Sequence, residues 1–270
     1  MISFTCERIS PMVTRIMDGS DVCEYLVEGR ERALLIDTGY GIGDLKSYIE
    51  TITDKPYDVY VTHGHVDHAS GAAQFDRVFM NLKDMELFAE HCEDSFRREV
   101  VVTHTALRPD EGDYIPQRRE PFAELKDGDV ADLGGATVRF VHVPGHTRGT
   151  MVPILEEERT AFFGDACGVG VLLMHPEAST VREYLSSLKK LKSCGYLYDR
   201  VLRQHGTFSS TPRVLDDNIE NCENILAGRD DHVEHEFMGR TCYWACRVDA
   251  NGVRADGREG NIRYTPDHIG

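Results

Sequence analysis

Six consecutive residues, His63-Gly64-His65-Val66-Asp67-His68, carry four potential metal ligands and constrain this chain more than any other feature. They directly follow a β-branched and aromatic run at residues 58–62 and precede the small residues Ala69, Ser70 and Gly71. That pattern predicts a strand delivering ligands into a turn that opens a helix, which is where the carboxyl end of a sheet presents a site. Imidazole nitrogen and carboxylate oxygen suit zinc, and also manganese or iron. One ion does not readily take four ligands from so short a loop. Two ions do, with His63 and His65 directed at one and Asp67 and His68 at the other.

A dinuclear site needs further ligands, and three stand just beyond predicted strands. His146 follows the run 137–143 in Pro144-Gly145-His146-Thr147, Asp165 follows 161–163 in Phe163-Gly164-Asp165, and His205 follows 201–203 in Gln204-His205-Gly206. Each alone reads as a turn or hydrogen-bonding residue, whereas together, in order after the cluster, they read as one shell. Further strands are predicted at 24–27, 33–36, 78–80 and 151–155 from their apolar and β-branched content. Helices are predicted at 43–53, 83–92, 180–194 and 212–226 from three-and-four apolar spacing, with Asp44 and Ser179 as caps and Pro212 in a first turn. The fold class is therefore α/β, two sheets with outer helices. Residues 93–121, with their charges, Pro109, Tyr114 and Pro116, read as an irregular functional loop, and this segment and the apolar stretch 169–174 are the expected pocket walls. The turn signal Asn251-Gly252 and the adjacent Tyr243 and Trp244 suggest a small hairpin in the segment that follows Gly228.

On these motifs, with Ile36-Asp37-Thr38-Gly39 upstream, the chain over roughly residues 20–227 resembles the metallo-β-lactamase-fold hydrolases, in the branch similar to glyoxalase II and the quorum-quenching lactonases. The resemblance implies an αββα sandwich in residues 1–227, leaving 228–270 as a carboxy-terminal extension packed on the same domain. It implies that His63, His65 and His146 hold one metal, that Asp67, His68 and His205 hold a second, and that Asp165 bridges them. Asp37 matches a position whose carboxylate orients a ligand imidazole through its other nitrogen. Two departures narrow the branch. The diiron oxygen-reducing members usually carry Glu where this chain has His65, which favours zinc-type hydrolysis. The basic residues with which glyoxalase II holds glutathione have no identifiable counterpart in residues 212–270.

The expected cofactors are thus two divalent ions, with zinc first and manganese or iron as the other fits. The expected activity is hydrolysis of an ester, thioester, lactone or amide carbonyl by a metal-bridging hydroxide, with Asp67 and Asp165 as the catalytic carboxylates and a small molecule as substrate. The rival readings are a phosphodiesterase on a small substrate, an iron-dependent sulfur or oxygen redox enzyme, and a non-catalytic metal-binding protein of the same fold. A formal net charge of -16 argues against nucleic acid as a partner. No apolar run of about twenty residues occurs, and Glu7 and Arg8 interrupt the amino terminus, so neither membrane nor export is expected and the chain reads as cytoplasmic. In that compartment its 8 cysteines read as free thiols. A homodimer is compatible with the sequence.

Overall fold

The computed structural model describes residues 2–270 and stacks four layers in the order helix, sheet, sheet, helix. The first sheet takes its strands in chain order: β1 (Thr5–Arg8), β2 (Val13–Met17), β3 (Cys23–Glu28), β4 (Ala33–Ile36), β5 (Tyr57–Tyr60), β6 (Val78–Met80) and β7 (Ala123–Glu124). It is antiparallel as far as β4 and parallel from β4 to β7. Parallel neighbours need crossovers. Here α1 (Leu45–Glu50), α2 (Val66–Ala69), α3 (Met85–His91) and α4 (Asp94–His104) lie in those connections.

The second sheet begins with β8 (Val130–Asp132), β9 (Thr137–His142), β10 (Met151–Leu155) and β11 (Thr160–Phe162). The chain then passes through β12 (Val171–Leu173) and α5 (Val181–Ser193) before returning as β13 (Arg200–Leu202) and β14 (Ser209–Ser210), giving the order β14-β13-β11-β10-β9-β8. After α6 (Arg213–Leu226), the strands β15 (Val233–Phe237), β16 (Arg240–Trp244) and β17 (Ile262–Tyr264) join β12 in a third sheet ordered β12-β17-β16-β15.

Side-chain alternation along the strands builds the sandwich. Tyr25, Val27, Leu34, Ile36 and Tyr60 of the first sheet pack with Val138, Phe140, Met151, Leu155 and Phe162 of the second. The rings of Tyr60 and Phe140 stack at 4.6 Å across that interface. The opposite faces carry Leu26, Leu35 and Val59 against Leu45, Ile49 and Phe88, and Val141, Val152 and Ile154 against Tyr184, Leu188 and Ile219. The inner strands of the first two sheets are therefore buried on both faces, which leaves their ends and edges for a site.

Four local features depart from the sequence reading. Residues 94–104 form a helix within the segment expected to be irregular, because the Glu93 side chain accepts from the amides of Ser95 and Phe96 and satisfies the first turn. The cap of α5 is Thr180 rather than Ser179, in a capping box with Glu183, and Pro212 caps α6 instead of opening its first turn. The hairpin β15–β16 turns at Met238-Gly239, where both residues have positive φ. Asn251-Gly252 makes a separate turn, with Asp249 Oδ1 accepting from the Asn251 amide.

Candidate metal centre

The seven residues singled out as ligands come together at one edge of the paired sheets. Their carriers explain why. β5 ends at Tyr60 and hands the chain to His63–His68. β9 and β11 run in the same direction because β10 lies antiparallel between them, and β13 is parallel to β11, so His146, Asp165 and His205 all follow strand carboxyl ends on the same side. The Met151 amide donates to Thr62 O and the Cys23 amide to Gln204 O, tying the two sheets together beside the cluster.

Among the described residues four groups of potential ligand atoms form; His63, His68 and Asp165 make one and His65, His91 and Glu177 another, and the remaining two collect six of the seven residues. In the first of these two, His146 Nε2 lies 2.9 Å from His65 Nδ1, and the buried His63 Nε2 has no hydrogen-bond partner. In the second, His205 Nε2 lies 3.2 Å from His68 Nε2 and 3.3 Å from Asp67 Oδ2. The Asp165 carboxylate stands between them, with Oδ2 at 3.4 Å from His146 Nε2 and Oδ1 at 3.5 Å from His205 Nε2. Converging ring nitrogens and an unpartnered buried one are costly unless something accepts their lone pairs. Such a donor set of imidazoles and carboxylates fits two divalent cations.

The surrounding groups fix which nitrogen faces inward. Asp37 Oδ2 accepts from His68 Nδ1 at 2.9 Å, leaving Nε2 for the cluster. Asp37 also accepts from the Thr62 amide at 2.7 Å and from Gln204 Nε2 at 3.0 Å, and it adopts a φ of 66° to reach all three. On the other side, His65 Nε2 lies 3.1 Å from Glu177 Oε1, leaving Nδ1 to face His146. Burial pushes His65 down to about 4, against the pull of Glu177. Burial raises Glu177, but the hydrogen bond from His65, its own backbone amide and the charges of His65 and His175 together outweigh it and bring it to about 2. Together these directions describe a neutral imidazole donating to an ionised carboxylate. His63 is likewise held neutral, by burial and then by its His68 neighbour. Burial disfavours a charged His68, yet the Asp67 and Asp37 carboxylates overcome it and raise the ring to about 10. A cation taken up there would replace that proton.

Asp84, Glu177, Thr62 and Gln204 belong to this constellation and were not singled out in the sequence. Asp84 had the same signal as the ligands, a carboxylate shortly after a strand end. It is buried and accepts from the Gly64 amide, the Gly149 amide and the Thr147 hydroxyl, stitching the His63–His68 loop to the His146 loop. A Cβ on Gly149 would come 2.5 Å from Asp84 Cγ, so only glycine permits that approach. Glu177 carries no sequence signal of this kind. His142, half-buried, bonds through Nε2 to Arg148 O and stays out of the cluster. All eight cysteines are unpaired.

A cavity of about 480 Å³ opens beside the cluster, with Asp67, His146, Asp165 and His205 on one side and Phe237, Trp244 and Arg263 of the carboxy-terminal strands on the other. Val169 and Leu172 line it as expected, but no residue of 93–121 does. That segment instead packs over the loop after β4, with the Ile115 amide donating to Gly41 O and Tyr114 lying under Arg97 and Arg98. A larger hollow of about 670 Å³ between α1 and the start of β5 contains none of the seven ligand residues.

The model of the metallo-beta-lactamase superfamily matches residues 25–198. The chain is 29 % identical over 185 residues to the human acyl-coenzyme A thioesterase MBLAC2, a match covering 62 % of this chain and 66 % of that protein. It is 26 % identical over 200 residues to an atrochrysone carboxyl ACP thioesterase of Aspergillus fumigatus, covering 69 % of this chain and 54 % of the relative. The chain thus spans less than two thirds of the length of either relative. In three dimensions it is similar to a metallo-beta-lactamase from Pontibacter korlensis, with a TM-score of 0.61 and 19 % identity over 82 % of this chain and 100 % of that one.

Proposed function

The chain belongs to the metallo-β-lactamase superfamily, and on that premise we propose that it is a dinuclear metal-dependent hydrolase whose substrate is a thioester. The observation that carries the reading is the position of Asp165, whose two carboxylate oxygens face ligand nitrogens of both groups. His63, His65 and His146 would hold one ion, Asp67, His68 and His205 the other, with zinc the best match to so imidazole-rich a set. Two such ions supply Lewis acidity toward a carbonyl and lower the pKa of water to about 7. The thioester, among the carbonyl compounds this chemistry serves, is favoured by the two relatives named as thioesterases.

The chain's own residues prepare that chemistry. Asp37 and Glu177 hold His68 and His65 in the tautomers that present Nε2 and Nδ1 respectively. Asp67, partly exposed at the cavity, is kept ionised by His68 and His205 despite burial, and its Oδ2 is the oxygen turned toward the place of the second ion. Leu172 O accepts from His146 Nδ1 at 3.3 Å, which leaves Nε2 facing the cluster. Apolar groups at Val169, Val171 and Leu172 line the side where an acyl chain would lie.

Thiol release from acyl thioesters by the metal-loaded protein, followed with a thiol reagent, tests the reading. Hydrolysis should disappear on chelation and return with zinc. In Asp165→Ala, activity and bound metal should fall together, further than in His63→Ala. Turnover of phosphodiesters with no turnover of thioesters would refute it, and so would full metal content in Asp165→Ala.

A further inference from the structure

Two guanidinium groups face the same cavity as the metal-ligand cluster without a carboxylate partner. The chain has 46 acidic residues for 30 Lys and Arg, and Arg8, Arg15, Arg98, Arg139, Arg159 and Arg258 each find one. Arg203 and Arg263 make no ion pair among the described residues, as is also true of Arg118, Arg200 and Arg240, but these two line the cavity. Arg203 is 5 % exposed and gives Nη2 to Thr207 Oγ1 at 2.8 Å and to Ser209 O at 3.2 Å, while its buried Nε is unpartnered. Arg263 is clamped between two rings, its guanidinium carbon 4.0 Å from the centre of Phe237 and 4.1 Å from that of Trp244, and its Nε is also buried and unpartnered.

Glycines flank both groups: a Cβ on Gly170 would press on Trp244 at 3.2 Å, while one on Gly168 would make ordinary contact with Arg203 at 3.4 Å. Arg263 on β17 pairs in register with Leu172 on β12, the residue whose carbonyl holds His146. The guanidinium is thereby fixed to the strand that also fixes a metal ligand. Stacking on aromatic faces removes much of the entropy lost when an Arg is immobilised, and its planar fork suits oxyanions.

We propose that Arg203 and Arg263 form an anion-recognition site in the reaction cavity, taking a phosphate or carboxylate that the substrate carries away from its reacting carbonyl. Arg203 follows β13, two residues before His205, whereas Arg263 lies on β17 of the carboxy-terminal extension, so the site joins the sandwich to that extension. The proposal rests on the thioester reading for the identity of the reacting group, while anion binding itself is independent of it. The anion has two chemical sources, a phosphate on the leaving thiol or a carboxylate on the acyl group.

The test compares one acyl group on coenzyme A with the same group on neutral N-acetylcysteamine, and adds a carboxyacyl N-acetylcysteamine thioester. The parent should favour one anionic substrate over the neutral one in kcat/KM, chiefly through KM, and which one it favours identifies the source. That preference should fall about tenfold or more in Arg263→Gln and in Arg203→Gln, the loss expected for a charge-assisted hydrogen bond. Arg263→Lys, which keeps the charge and fills the space between the rings, should retain part of it and guards against a folding failure. Independently of turnover, inorganic sulfate at matched ionic strength with chloride should raise the Tm of the parent more than that of either Gln variant. Equal preference in parent and variants, or an equal sulfate response, overturns the proposal. If no thioester is cleaved, the functional reading falls, and the sulfate measurement still decides the anion site.

Discussion

His68 Nδ1 and Asp37 Oδ2 lie 2.9 Å apart with both side chains wholly buried, and Asp37 takes up a left-handed backbone conformation to make the contact. Asn tolerates that conformation better than most residues. Asp37→Asn therefore isolates the loss of charge from backbone strain. Partners that orient a ligand imidazole are worth about 10 to 100-fold in metal affinity. Competition with a chromogenic chelator should show one of two ions weakened by about that factor and the other little changed. Two ions held as in the parent would mean that Asp37 does not orient a ligand.

Asp84 makes a different prediction, about stability. Replacing it with Ala strands the Gly64 and Gly149 amides in a buried region, and each unsatisfied donor costs about 1 to 3 kcal/mol. The loss should be on the order of 3 kcal/mol in urea unfolding, with a lower metal occupancy because the loops carrying His63 and His146 are no longer tied. Asp84→Asn has one acceptor oxygen in place of two and should fall between Ala and parent. A change under about 0.5 kcal/mol, the range of ordinary surface substitutions, would contradict this account.

The candidate ligand positions were legible in the sequence because each follows a strand, and strand carboxyl ends converge whatever the details of the loops. The cluster at 63–68 and the residues His146, Asp165 and His205 needed no knowledge of the sandwich beyond that, whereas Asp37 came from the family resemblance alone. The partners were hidden for a physical reason. Asp84 carries the ligands' own signal, a carboxylate shortly after a strand end, but the helical spacing around it masks that signal, and Glu177 meets His65 across a separation of 112 residues, so only the packed fold brings Glu177 to its histidine loop. The role of the carboxy-terminal strands was hidden likewise. Short strands with charged and aromatic residues gain their meaning from pairing with β12, and nothing local in residues 171–173 announces a sheet edge waiting for β17.

Glu24 supplies a pH-dependent test. It is 1 % exposed, its Oε2 has no partner, and burial reinforced by the nearby Asp18 raises its pKa well above the ordinary 4.5. The folded protein then binds more protons than the unfolded chain between 4.5 and the raised value, so stability is full below that window and declines as pH rises through it. Glu24→Gln removes the titration while keeping the shape. Urea midpoints of the metal-free proteins between pH 5 and 8 should decline less in the variant than in the parent. Parallel slopes would place the pH dependence on other groups, Asp18 first among them.

The carboxy-terminal sheet lines the cavity beside the cluster, and the prediction for specificity falls on it. Trp244 and Phe237 line the space opposite Asp165 and His205, whereas Tyr114 packs under Arg97 and Arg98, away from the cavity lining. A contact with an apolar part of a substrate is worth about 1 to 3 kcal/mol, so losing one shifts relative kcat/KM by about 10 to 200-fold. Trp244→Ala should therefore reorder a panel of thioesters that differ in acyl chain length, with metal content at the parent level because no ligand contacts the indole. Tyr114→Phe keeps the ring beneath the two arginines and should leave the ranking unchanged. The panel is run on parent and both variants side by side. A ranking altered by Tyr114→Phe and not by Trp244→Ala would move recognition to residues 93–121 and away from the strands that carry Arg263.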